Sequence, residues 1–262
     1  MRQVPEIVLA LANLISLGES SGTGFMYCSD RYLYLVTAKH VLFNDQDKLR
    51  TTEIEILAHT TVLEDESVLR FQVDINKLKY SKHHNSDVAV IQIGKVVYHK
   101  GEKTKINYLS GVTRVEDGNS TPILSSKRNV CNFEDVMISN DVFIIGYPTS
   151  LGLKSSPQFD YTKPLLRKGI VANVYKDQKT IILDCPVYHG NSGGPVIQYT
   201  DDIDGKKLFK LIGVISQYIP FVKKWRNDRD ESISIDYLNS GYSIAVSVDY
   251  VIELIDLLEK PK

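Results

Sequence analysis

The sequence predicts an all-β protein with two groups of short antiparallel strands, closed by one C-terminal α-helix. Three observations carry this. Most of the chain reads as apolar or alternating runs of five to eleven residues broken by turn residues. One polar stretch, 101–134, divides these runs into two sets. Only the last segment, "VDYVIELIDLLEK", has helical spacing, with Val251, Leu254, Ile255 and Leu258 on one stripe. Two β-barrels or sandwiches satisfy this pattern.

In order, the apolar run "EIVLALANLISL" is too short to span a bilayer, which takes roughly 20 residues. Glu6 and the absence of a small-residue cleavage site argue against a signal peptide. It is expected to be a short helix or a first strand. "GTGFMYCS", "YLYLVTA", "EIEILAH", "VLRFQVDI" and "DVAVIQIG" then read as the strands of an N-terminal barrel over 7–100, with "EDES" as an acidic connection. The linker 101–134 contains "EDGN" and "SSKRN". "DVFIIGYP", "LLRKGIVANVY", "KTIILDCPVY", "GPVIQYT", "LFKLIGVISQY" and "YSIAVSV" supply a second barrel over 135–248. Between the last two, "KKWRNDRDESISIDYLNS" reads as a solvated loop. The helix over 249–260 has Asp249 as its expected N-cap and Pro261 beyond its end.

Composition narrows the function. A net charge of −1 with interspersed signs gives no nucleic-acid footprint and no electrostatic membrane anchor. Cys28, Cys131 and Cys185 are odd in number and lack metal-site or CxxC spacing. They are expected to be buried, inert thiols in a reducing compartment, which places the protein in the cytoplasm. Neither a metal nor an organic cofactor is indicated.

The densest chemical signal is "VYHGNSGGPVI", where three glycines and a proline surround Ser192. Consecutive amides at Gly190, Asn191 and Ser192 can converge on one point if the turn is tight, and glycine permits that. Such a point suits a tetrahedral oxyanion, where losing one donor typically costs ~10²–10³ in rate. A serine hydroxyl needs an adjacent base. Of six histidines, His40 stands out at the end of the strand in "LVTAKHVL". His83 and His84 fall in the polar "SKHHNS", and His59 and His99 have no distinguishing feature. Asp87 opens the apolar run "DVAVIQI", where a carboxylate needs hydrogen-bond partners. It suits the task of orienting an imidazole through Nδ1–H. Taken alone, His40 also reads as a half-buried polar residue, and Asp87 as the end of a turn.

"TAKH", "SDVAVI" and "GNSGGP", in that order, resemble the chymotrypsin-like (trypsin-fold) serine peptidases. Among these the sequence is most similar to the disulfide-poor bacterial HtrA/Deg-type protease domains. "SGTGF", "NDVFIIGYP", "LLRKGIVA", "LIGVIS" and "GYSIAVSVDYVIELI" extend the likeness over most of residues 18–258. The resemblance implies two six-stranded antiparallel barrels in a single peptidase domain over 1–262. It implies serine endopeptidase activity on a protein or peptide substrate through an acyl-enzyme. His40 would be the general base, Asp87 its orienting partner and Ser192 the nucleophile. The amides of Gly190 and Ser192 would form the oxyanion hole, supported by Asn191. Ser216 would pair with substrate backbone as an added strand.

The departures carry expectations too. Val41 follows the histidine where secreted digestive enzymes have cysteine. Asn191 replaces the aspartate those enzymes pair with a freshly cut N-terminus, so activity without N-terminal cleavage is expected. Pro186, six residues before the serine, offers no charge for Arg or Lys. His189 and Tyr218 are expected at the substrate pocket, with Tyr218 narrowing it toward small or medium apolar side chains. No PDZ domain is expected after Lys262, and a regulatory partner protein would then come from another chain. Two alternatives stay open: a protease fold that binds a partner without cleaving it, and a latent enzyme whose oxyanion loop is ordered by assembly.

Overall fold

The computed structural model describes residues 4–60, 68–97, 105–115, 121–149, 157–201, 207–226 and 233–260. "EDES", "EDGN" and His99 lie outside them. The apolar run near the N-terminus holds both expected elements, a 3₁₀ helix Glu6–Leu11 and the strand β1, Ala12–Leu17. β2 (Ser20–Cys28), β3 (Tyr32–Thr37), β4 (Glu53–His59), β5 (Val68–Asp74), β6 (Tyr80–Lys82) and β7 (Ala89–Val97) follow.

The segment read as a linker contributes to this first sheet. β8, Lys105–Tyr108, pairs with β7, and β9, Val112–Arg114, pairs with β5. The two-residue β10, Ser125–Ser126, runs parallel to the end of β2. The sheet order is β6-β7-β3-β2-β1-β4-β5-β9. It wraps as a half-barrel. β6 and β9, three residues each, end the path without pairing with one another.

The second sheet closes. β11 (Asp141–Gly146), β12 (Leu165–Tyr175), β13 (Thr180–Asp184), β14 (Pro195–Asp201), β15 (Lys207–Arg226) and β16 (Ile233–Ser247) form a ring in the order β11-β12-β13-β16-β15-β14. The charged stretch read as a solvated loop is instead mostly strand. β15 and β16 pair from Gly213↔Ser247 out to Arg226↔Ile233. Its charges obscure the pattern, because both faces of this outer hairpin meet solvent and no alternation is imposed.

Two cores lie inside the sheets, and a third layer joins them. Along β2, Met26 faces the first core, whereas Phe25 and Tyr27 face the joining layer. β3 divides likewise, with Leu33 and Leu35 inward and Tyr34 and Val36 in the joining layer. Strands buried on both faces read as continuous apolar runs, which explains "YLYLVT". The joining layer takes Phe143, Ile145 and Tyr147 from β11 and the residue after it, and Val251, Leu254 and Ile255 from the C-terminal helix. The helix therefore packs its predicted stripe against the seam between the sheets. It spans Val248–Glu259 and is capped by Ser247, whose Oγ accepts from the Asp249 N–H at 3.1 Å. Asp249, the expected cap, sits two residues further in, at the second helical position. Its Oδ1 accepts from the Phe133 N–H at 3.2 Å, and its Oδ2 pairs with Lys179 at 3.1 Å. Among the described residues no helix is long and apolar enough to cross a membrane.

Candidate active site

The seam between the sheets brings together residues far apart in sequence. β3 ends at Thr37, and the four-residue helix α1, Lys39–Leu42, turns the chain so that His40 faces the seam. Asp87 sits just before β7, the strand paired with β3. Asp87 grips His40 twice. Its Oδ1 accepts from the His40 backbone N–H at 2.9 Å, and its Oδ2 lies 2.7 Å from Nδ1. A carboxylate only accepts, so Nδ1 carries the proton and Nε2 is left as the acceptor. The Ser216 hydroxyl donates a third hydrogen bond to Asp87 Oδ2 at 2.5 Å. Burial alone would raise the Asp87 carboxyl, but the His40 ring, the Ser216 hydroxyl and the His40 N–H outweigh it and hold it below the usual carboxylate range.

Ser216 reaches Asp87 because the β15–β16 register shifts between Ile215 and Gln217. A bulge of this kind re-aims one side chain. The same residue's carbonyl accepts from the Ser192 Oγ at 3.1 Å. The nucleophile candidate thus directs its single hydroxyl proton to Ser216 and not to His40.

The loop carrying Ser192 is a tight turn. Asn191 N–H donates to Tyr188 O at 3.0 Å, with Gly190 at φ +96° in the third position. A positive φ there belongs to a type II turn and requires glycine. A Cβ on Gly190 would meet Tyr147 O at 2.1 Å, so packing forbids other residues as well. Buried Asn191 closes the turn from inside, its Oδ1 accepting from Tyr188 N–H at 3.3 Å. Its neutral amide finds a partner within the loop itself. Gly193, at φ +87°, donates to Ile215 O at 2.7 Å. Among the described residues no acceptor takes the amide protons of Gly190 and Ser192.

Thr23, which sequence reasoning passed over inside "SGTGF", ties this loop to the first sheet. Its N–H donates to Ser192 O at 2.9 Å and its hydroxyl donates to Gly190 O at 2.6 Å. The same hydroxyl accepts from Tyr147 N–H at 3.0 Å. A threonine within a glycine-rich strand start was the available signal.

A family model described as a trypsin-like peptidase domain matches residues 22–203, which include His40, Asp87, Ser192 and Thr23 but not Ile215 or Ser216. The chain belongs to the trypsin-like peptidase family. Among solved structures, this trypsin-like domain is similar to the HtrA-type protease AlgW with tripeptide, at TM-score 0.53 and 15% identity. That match covers 95% of this chain and 60% of the other, so the domain spans about three fifths of that protease. It is also similar to a mutant of human heparin binding protein, at TM-score 0.57 and 11% identity, covering 100% of this chain and 96% of that one. At these identities the likeness shows the chymotrypsin-like fold. No curated protein sequence matches the chain.

The residues expected around the trypsin-like domain's substrate pocket converge in part. His189 is exposed beside half-buried Tyr218, ring centroids 6.0 Å apart and edge-on at 89°. Pro186 is half-buried in the segment between β13 and the Ser192 loop. Two residues there escaped sequence reasoning. Asn239 Nδ2 donates to Val187 O at 2.6 Å, and the Arg167 guanidinium lies 4.6 Å from the Tyr188 ring centroid.

The other histidines and the cysteines correct the sequence reading. His59 is fully buried, its Nε2–H donating to Thr162 O at 2.9 Å. His83 is partly buried against Tyr250, centroids 4.2 Å apart. Cys185 is buried, but Cys28 and Cys131 are only half-buried. All three are free, and burial pushes Cys131 and Cys185 up to about 11 and raises Cys28, so the thiols stay protonated.

Proposed function

We propose that this trypsin-like domain is a serine endopeptidase acting through an acyl-enzyme, with His40, Asp87 and Ser192 as its triad. The observation that carries the reading is the two-point hold of Asp87 on His40. It leaves Nε2 as the acceptor, while Ser216 links Asp87 to Ser192 on its tight glycine turn. In this reading Nε2 takes the Ser192 proton as Oγ attacks the scissile carbonyl. Asp87 stabilises the imidazolium that forms. The amides of Gly190 and Ser192 receive the oxyanion, and His40 then returns the proton to the leaving amine. Water repeats the cycle on the acyl-enzyme and frees Ser192.

The substrate is a protein or peptide whose backbone lies along Ser216. Pro186 supplies no charge for a basic side chain, and Tyr218 with His189 narrows the pocket toward small or medium apolar residues. A peptide library cleaved mainly after large or charged residues would overturn that preference. Asn191, satisfied within its own loop, supports activity without N-terminal cleavage. The free, protonated thiols support a cytoplasmic setting.

One observation favours a second reading, a latent enzyme awaiting a regulatory partner: the Ser192 hydroxyl points to Ser216 O. Both readings are tested by hydrolysis of casein by the wild type and by Ser192→Ala. Cleavage by the wild type alone supports the active enzyme. Wild-type cleavage that begins only on adding cell extract supports the latent one.

A further inference from the structure

β14 accompanies β15 only as far as Pro195↔Val214. Beyond that point β16 occupies one edge of β15, and among the described residues no strand pairs with the other edge out to Arg226. An unpaired strand edge is a template for another strand. We propose that this edge is a docking arm for the substrate chain, which adds as a third strand of the β15–β16 hairpin. The inference rests on the reading of Ser216–Tyr218 as the place where substrate backbone binds.

Direction follows from the edge itself. β14 lies antiparallel to β15 on this same edge. A strand continuing in that sense enters at Arg226 and brings its C-terminal end to Ser216 and Ser192. The segment preceding the scissile bond therefore lies on the hairpin. At about 3.4 Å per residue, Lys224 and Arg226 meet positions roughly six to ten residues before that bond.

The chemistry of the two hairpin faces selects the segment. On one face Trp225 Nε1–H donates to Asp236 Oδ2 at 2.7 Å, and Lys223 Nζ lies 3.7 Å from the Trp225 ring centroid. Its charges are matched, leaving Phe221 and Trp225 as exposed aromatic surface. The opposite face carries Val222, Ile233, Ile235 and Tyr237, each 45–66% exposed, with Lys224 and Arg226. Among the described residues these two cations have no ion-pair partner, and Gln217–Arg226 contains no carboxylate. The fitting strand alternates acidic residues beside Lys224 and Arg226 with apolar residues beside Phe221 and Trp225. A second copy fits poorly, because antiparallel pairing centred on this stretch would bring the Lys223, Lys224 and Arg226 cluster against the same cluster of the other copy.

Two measurements test this. Fluorescence anisotropy on Ser192→Ala would use a fluorescein-labelled peptide of five Glu-Val repeats, with Lys-Val repeats as the control. The Glu peptide should bind at least about tenfold tighter, less so at high salt, and Lys224→Glu/Arg226→Glu should reverse the preference. Equal binding of the two peptides, or an unchanged preference in the double variant, overturns the docking arm. Cleavage of casein-derived peptides by the wild type, with and without a Glu-Val extension on the N-terminal side, is the second. Cleavage with no gain from the extension overturns the arm and leaves the endopeptidase reading intact. Selective binding without cleavage upholds the arm and contradicts only the active endopeptidase. A wild-type dimer by light scattering that dissociates in the double variant shows a second copy on this edge and also overturns the arm.

Discussion

The Thr23 hydroxyl donates to the Gly190 carbonyl at 2.6 Å, joining residues 167 positions apart. The bond fixes the peptide that follows Gly190, while Thr23 N–H holds Ser192 O on the other side. One residue of the first sheet therefore sets both ends of the segment that presents Ser192. Thr23→Val keeps the shape but leaves Gly190 O and Tyr147 N–H without their partner, a cost of about 1–3 kcal/mol. We predict a roughly 10–100-fold loss of kcat, a lowered Tm and weaker binding of a peptide boronate. Thr23→Ser should restore all three. A variant that lowers Tm but binds the boronate normally would reduce Thr23 to a scaffold residue.

Gly193 bears the same dependence from the opposite side. A Cβ there would meet Thr23 O at 2.0 Å and Thr37 Oγ1 at 2.2 Å, at a φ of +87° that side chains rarely adopt. Gly193→Ala should cost at least about 1–3 kcal/mol in strain and displace the Ser192 loop. Gly18→Ala is the control. It has a comparable φ of +70° with nothing within 4 Å, so it carries the backbone strain without the collision. Chemical denaturation of the two variants should find Gly193→Ala the less stable; equal losses would contradict the collision.

Asp87 makes an acid-side prediction. Its carboxyl is held below the unfolded value of about 3.9, so the stability it contributes is complete above that pH and is lost as pH falls through the folded value. Asp87→Asn should therefore show a shallower loss of stability below about pH 4. It should also lose activity on the order of 10⁴-fold, because an amide no longer dictates the His40 tautomer. An acid unfolding curve identical to wild type would refute the hold on His40.

His59 acts at higher pH. Burial holds its ring below the ordinary histidine value, against the Thr162 carbonyl and Asp160, which favour the charged form. His83 is lowered as well, again chiefly by burial. Groups lowered in this way contribute stability that is complete above the unfolded value of about 6.5 and is lost as pH falls below it. Tm should therefore fall from about pH 7.5 to about pH 5.5, and His59→Gln should flatten part of that decline. A slope unaltered in His59→Gln would assign the decline elsewhere.

What could be read from the sequence follows from how local each signal is. Strands β2, β3, β7 and β11 announce themselves because their apolar runs are set by burial. The glycine turn around Ser192 is legible because positive φ at Gly190 and Gly193 needs glycine. Thr23 was not, since a buried threonine is bland until its partners 167 residues away are known. The outer β15–β16 hairpin read as a loop because strand pairing there is not accompanied by burial on either face. Lys105–Arg114 read as a linker because its strands are short and its polar flanks dominate the window. The cap moved from Asp249 to Ser247 because both residue types cap equally well.

In the proposed mechanism His40 and Asp87 activate Ser192. Labelling with a fluorescent fluorophosphonate, followed by gel for the wild type, Ser192→Ala and Asp87→Asn, tests it most directly. Strong labelling of the wild type is expected, with none of Ser192→Ala and greatly slowed labelling of Asp87→Asn. A folded wild type that remains unlabelled, or label that persists in Ser192→Ala, would contradict it.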